Sequence, residues 1–352
     1  MNPFQHLQQA TERNVVVEGQ QYLFFGGTAY LSLSTNPDYI SLYKEGIDRY
    51  GLNNGTSRNN NVQLGIYDDA EKEMARRFGF EEATILSSGY LVAQLAVRVL
   101  EGFGAVFYAP GAHPALWLDK GPEMNRSFQE WAENTVRAIN EADGSSFVVV
   151  ANTLDNLSPE VYDFSIFKSV ASTKKVYLLL DDSHGIGIAA VNRTFVDPSL
   201  FADNPQIEFM VVASLAKGMG TDAGILFSSH EMGISFKRST FFTGASPCSP
   251  AALYALLKGD EIYKKQHARL QNNIDYLKKA LQKVNTKIND VPHFPVFTVV
   301  DTGAFQKLKT RGILISSFPY PLETDALKNR IVVSAGHTED DLDCLIVALQ
   351  DV

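Results

Sequence analysis

The stretch Ser214-Leu215-Ala216-Lys217-Gly218-Met219-Gly220 follows directly on the apolar run Phe209-Met210-Val211-Val212-Ala213. The run has the pattern of a buried strand, and the stretch that of the loop leaving its carboxyl end. A lysine placed there, with a hydroxyl three residues before it and glycines after it, has the make-up to form a Schiff base with pyridoxal phosphate (PLP). The glycines let the backbone approach a flat ring closely, and Ser214 offers a hydroxyl to a phosphate. Alone, the same run also fits a solvated loop lysine, so its reading rests on what lies upstream.

Upstream, Val176-Tyr177-Leu178-Leu179-Leu180 leads into Asp181-Asp182-Ser183-His184-Gly185. The apolar run reads as a strand of a parallel sheet covered on both faces. A carboxylate at its carboxyl end faces the crevice where open α/β sheets bind ligands. Asp181 there can keep a pyridine nitrogen protonated, which makes the ring an electron sink. His184 can hydrogen-bond the ring oxygen or orient the carboxylate. The alternatives are a helix cap for Asp182 or Ser183 and a metal pair of Asp181 with His184. No further ligands cluster at metal spacing, and Cys248 and Cys344 are isolated, so no metal is expected.

Two further elements lie earlier. Ser87-Ser88-Gly89-Tyr90 links a short strand, Ala83 to Leu86, to a helical stretch, Leu91 to Leu100. The N-terminus of such a helix offers N–H groups to a phosphate, although Ser88 also fits a plain N-cap. His113 follows the strand Ala105 to Tyr108, where its ring can stack on a pyridine face or sit in a surface turn.

With these four elements in this order, the chain resembles the α-oxoamine synthase branch of the fold-type I PLP enzymes, also called the class II aminotransferase-like group. The resemblance runs from about Val15 to Val347. It includes Ala29 to Leu33, the loop Gly51 to Arg58, Ser88-Gly89-Tyr90, His113, Asp181 to Gly185, Ser214 to Gly220, and the strand beginning Arg330-Ile331-Val332-Val333-Ser334. It implies PLP on Lys217, with Asp181, His184 and His113 catalytic. Ser88, Gly89, Tyr90, Asn152 and Ser214 then join them around the cofactor. Arg330 would bind the substrate carboxylate and Thr28 the substrate. It also implies a homodimer, in which Thr243 or the amide of Gly244 crosses to the partner's phosphate. The chain departs from the pattern at Thr28-Ala29, where the branch carries an asparagine that helps hold the substrate. It departs also at Tyr67, in place of a histidine, and at Asn152, in place of a glutamate. Asparagine can donate to a ring oxygen but cannot act as acid or base.

The expected fold is α/β: a large, mostly parallel sheet domain flanked by helices, with a smaller C-terminal α+β domain. Residues 1–45 would form an N-terminal segment associated with the small domain, 46–240 the large domain and 241–352 the small one. Residues 241–250 read as a turn-rich junction, and 251–284 as one connecting helix. The chain has 352 residues, 45% hydrophobic and 20% charged, which is enough to bury a sizeable core. Its net charge of −9 argues against a nucleic-acid partner. No apolar run approaches membrane-spanning length, and residues 1–13 are too polar for a secretory signal, so a cytoplasmic location is expected.

Two classes of function stay open. One is an enzyme that condenses an amino acid with an acyl-CoA and releases CoA, or an aminotransferase on the same scaffold. The other is a degenerate homologue without turnover.

Overall fold

The computed structural model describes residues 3–119, 121–122, 126–320, 323–350 and 352. Two units divide the chain: residues 41–155 with 161–259, and residues 1–40 with 156–160 and 260–352.

The strand Lys175–Asp181 shows why its sequence is a continuous apolar run. Side chains alternate across a strand, so neighbours face opposite layers. Leu179 joins Val92, Leu95 and Ala96 of the helix Gly89–Leu100. Leu178 and Leu180 join Trp131, Val136 and Ile139 of the helix Phe128–Glu141. With helices on both faces, neither set of residues can be polar.

The sheet of this unit has the strand order Glu82–Leu86, Gly224–Ser228, Ile207–Ser214, Lys175–Asp181, Ser146–Asn152, Ala105–Tyr108. The last four are mutually parallel. Gly224–Ser228 runs antiparallel to both of its neighbours. It returns immediately after Ile207–Ser214, so residues 215–223 form the tip of a hairpin. Leu215 N donates to Ala223 O at 2.9 Å and Thr221 N to Leu215 O at 3.1 Å. Lys217 sits on that tip. A Cβ on Gly218 would lie 2.7 Å from Ile188 Cδ1 and 3.1 Å from Ile186 O, so any larger residue there would push the Ile188 side chain aside.

The other unit carries a mixed six-stranded sheet in the order Asn14–Val17, Gln20–Phe25, Ile313–Pro319, Leu327–Val332, Val296–Val299, Ile288–Asp290. The N-terminal hairpin enters it through the parallel pairing of Leu23–Phe25 with Ile313–Ile315. The final helix, Glu339–Leu349, starts at a capping box of Thr338 with Asp341. Among the described residues, no helix is long and apolar enough to cross a membrane.

Two boundaries differ from the sequence reading. The single helix predicted over 251–284 is two, Pro250–Lys258 and Asp260–Leu281, separated by Gly259. Gly259 has φ −82° and ψ 9°, off the helical value, and marks the division between the units. Residues 250–258 therefore belong with the large sheet, whereas a boundary at 240/241 would assign them to the smaller domain. The junction also holds a five-residue helix, Thr240–Gly244, capped by Ser239 Oγ accepting from Phe242 N.

Candidate active site

At the carboxyl ends of the parallel strands, the backbone register brings the candidate residues together. Asn152 lies opposite Asp181, and Asp181 opposite Val212. Ser214 ends the next strand, three residues before Lys217. Lys217 Nζ lies 3.2 Å from His184 Nε2, and both side chains are half-buried. His184 thus shares a proton position with the lysine amine.

Asp181 is half-buried, and its Oδ1 accepts from Ser183 N at 2.8 Å. Ser183 in turn turns its Oγ to the neighbouring strand end and accepts from Ser214 N at 2.9 Å. The Asp181 turn and the Lys217 hairpin are therefore tied to each other directly. His113 is an exposed residue, but atoms packed around its ring still desolvate it and hold its pKa below the ordinary range, while Asp181 pulls it up and Lys217 pushes it down. Its Nδ1 accepts from Ala115 N at 3.1 Å, so the neutral ring carries its proton on Nε2.

On the other side of the hairpin lies the start of the helix Gly89–Leu100. Ser88 Oγ accepts from Leu91 N at 3.2 Å and its carbonyl from Val92 N at 3.1 Å. The serine is a true N-cap, and the amides of Gly89 and Tyr90 stand ahead of the first intrahelical bonds. A Cβ on Gly89 would lie 2.5 Å from Ser214 Cβ, and one on Gly224 would lie 2.2 Å from Ser88 O. Two glycines thus let the helix N-terminus press against the strand that delivers Lys217.

A family model described as aminotransferase class I and II matches residues 122–349. The chain belongs to that family. Among curated relatives, the 8-amino-7-oxononanoate synthase of Pseudomonas syringae pv. tomato is 25% identical over 98% of this chain and 90% of its own length. That of Pseudomonas fluorescens is 25% identical over 98% and 91%. A solved serine palmitoyltransferase of Sphingomonas wittichii superposes with a TM-score of 0.82 at 17% identity, over 100% of this chain and 92% of that one. A solved 8-amino-7-oxononanoate synthase of Francisella tularensis gives 0.67 at 16%, over 94% and 97%. At that identity the two solved structures speak for the fold, which this chain shares with them over 94% or more of its length.

Within this family member, Ser88, Gly89, Tyr90, His113, Asn152, Asp181, His184, Ser214 and Lys217 all belong to the large unit. Thr243 and Gly244 belong to it too, but the Thr243 hydroxyl already donates to Ser239 O at 3.2 Å. Thr28 and Arg330 lie in the smaller unit. Arg330 is buried, pairs in register with Ser316 and Thr298, and holds its guanidinium 5.4 Å above the Phe318 ring. Its charge opposes the burial that pushes the Tyr30 hydroxyl up to about 12.

Sequence reasoning offered Asp182 and Ser183 only as helix caps and gave Thr153 and Arg58 no part of their own. Ser183 and Thr153 are structural ties. Asp182 is no cap of a helix: it is fully buried, accepting from Thr153 Oγ1 at 2.7 Å and from Phe195 N at 2.9 Å. It braces the turn that presents Asp181 and His184. Only strand alternation signals this, since of two adjacent aspartates at a strand end one must point inward. Arg58, with its side chain largely buried, bonds Glu71 at 3.0 Å and Asp68 at 2.9 Å and lies over the rings of Tyr67 and Phe242. It ties the loop of residues 51–58 to Phe242.

Burial pushes the Asp182 carboxyl from 3.8 up to about 7. The folded chain therefore holds a proton that the unfolded chain gives up between pH 3.8 and about 7. Its contribution is complete below pH 3.8 and is lost as pH rises through that window, by up to about 4 kcal/mol. Asp182→Asn keeps both partners, because its oxygen accepts from Phe195 N while its amide donates to Thr153. It should show a flatter profile of unfolding midpoint between pH 4 and 7 than the wild type. Parallel profiles would remove Asp182 as the source.

Proposed function

We propose that this protein is a PLP-dependent synthase of the α-oxoamine type, joining an amino acid to an acyl thioester such as acyl-CoA with release of the thiol. The observation that carries the reading is the convergence of Lys217, His184, Asp181 and His113 at one sheet end. The donor set fits a flat, phosphate-bearing pyridine: an amine at Lys217, a carboxylate at Asp181, an imidazole at His113, and helix amides beside a Cβ-free Gly89. When bound, PLP supplies an electron sink for negative charge developing at the amino acid's α-carbon. Asp181 would keep the ring nitrogen protonated. Lys217 would anchor the ring through Nζ and carry a proton there, shared with His184 Nε2. His113 would cover a ring face, and Ser88, Gly89, Tyr90 and Ser214 would surround the phosphate.

Arg330 is proposed to grip the substrate carboxylate, with Thr28 near the same substrate. A guanidinium matches a carboxylate through a planar fork that lysine lacks. Arg330→Lys should therefore weaken amino-acid binding at least about tenfold and leave the spectrum of bound PLP unchanged. An unaltered affinity would assign Arg330 to the core of its own sheet.

We place the enzyme in the cytoplasm, since Cys248 and Cys344 are both free thiols. The working unit is proposed to be a homodimer in which Thr243 or the Gly244 amide serves the partner's site; sedimentation at nanomolar concentration tests it. The second reading, amino transfer, draws on the description of the family itself. One experiment separates them: amino acids are screened by the visible band of the bound cofactor, acyl-CoA is added, and free thiol is measured. Thiol release selects the synthase. Amino transfer that requires a keto acid selects the aminotransferase. Neither product would return the chain to a binding role.

A further inference from the structure

Asn152 stands where a cofactor ligand would be expected, and each end of its amide already holds a backbone group of the 111–113 turn. Its Nδ2 donates to Gly111 O at 2.7 Å, and its Oδ1 accepts from His113 N at 3.1 Å. Gly111 has φ +74°, a left-handed conformation suited to glycine, which turns the chain sharply between the two bonded groups. The rest of the loop is braced in the same manner. Ala112 N donates to Ala109 O, Trp117 Nε1 to Ala112 O, and Gln94 Nε2 to Ala115 O and Trp117 O. His113, on this loop, is acted on by both Asp181 and Lys217.

We propose that Asn152 is a positioning residue: its amide clamps the 111–113 turn from both sides and thereby fixes the His113 ring at the Lys217 site. An amide is the group that suits this task. A carboxylate of the same shape can accept from His113 N but sets a second oxygen against Gly111 O. A hydroxyl is too short to span both groups. The clamp starts from the strand position opposite Asp181, so the ring is held relative to the acid that acts on it. The role assigned to His113 rests on the PLP reading above, whereas the clamp itself does not.

The test uses the full chain with labelled histidine, the His113 resonance being assigned through His113→Ala. Two variants, Asn152→Ala and Asn152→Ser, remove the clamp, and the second stands in if the first does not fold. In protein without PLP, loss of the two Asn152 bonds should let the turn swing the already exposed His113 ring further from the atoms that still desolvate it. The His113 titration should then move upward by about half a pH unit or more. With PLP, the variants should weaken binding about fivefold in the His113 background and less than about twofold in the His113→Ala background. An unmoved titration overturns the proposal. So does a loss of PLP affinity that persists in full without the His113 ring, which would make Asn152 a direct cofactor ligand. If the wild type binds no PLP but the titration moves, the clamp stands and the PLP reading falls.

Discussion

Lys217→Ala is expected to lower turnover by about a thousandfold or more while leaving the protein folded. The loss is large because no other group can take over a covalent anchor and proton carrier at the same point. The fold should survive because the hairpin tip is held by its backbone, through Leu215 with Ala223 and Thr221 with Leu215. Gly218 packs on Ile188 whatever side chain precedes it. Two measurements make the expectation specific. Borohydride reduction of the wild type with PLP should place the label on residue 217, and the variant should lose it. A small primary amine added to the variant should restore part of the turnover, since the amine function is what the truncation removes. Label on a different lysine, or none, would end the PLP assignment. A variant that keeps wild-type turnover would do the same.

Asp181→Asn should cost roughly a hundredfold or more in turnover with little effect on stability. The amide oxygen can keep the bond from Ser183 N, so the turn retains its geometry. What disappears is the negative charge. That loss has a signature independent of catalysis. Asp181 raises the His113 pKa, so the variant's His113 should titrate lower than in the wild type. The expectation fails if activity falls only in proportion to stability, or if His113 does not respond.

Much of this site was legible because its parts are local. Asp181 and His184 sit within one strand-end motif, Lys217 within another, and Ser88-Gly89 at a strand-to-helix turn. Each follows an apolar run whose burial the sheet explains. The less legible features depend on distant partners. Asp182 needs Thr153 and Phe195, Arg58 needs Glu71, Asp68 and Phe242, and Asn152 needs the 111–113 turn. A sequence shows the residue but not which side of the strand meets which loop. The break at Gly259 was missed for another reason: amphipathic periodicity continues across it, and a single glycine inside such a pattern is compatible with a continuous helix.

The antiparallel return of Gly224–Ser228 has a consequence for synthesis. It pairs at once with Ile207–Ser214, but its other partner, Glu82–Leu86, was made roughly 140 residues earlier. At about 5–20 residues per second, that strand waits roughly 7–28 seconds on the ribosome for its only neighbour in the sheet among the described residues. During the wait Ala83, Ile85 and Leu86, all buried once folded, lie beside an open edge. The hairpin that carries Lys217 therefore also supplies the partner of a strand made long before it, and variants that slow its formation should surface first as aggregation during expression.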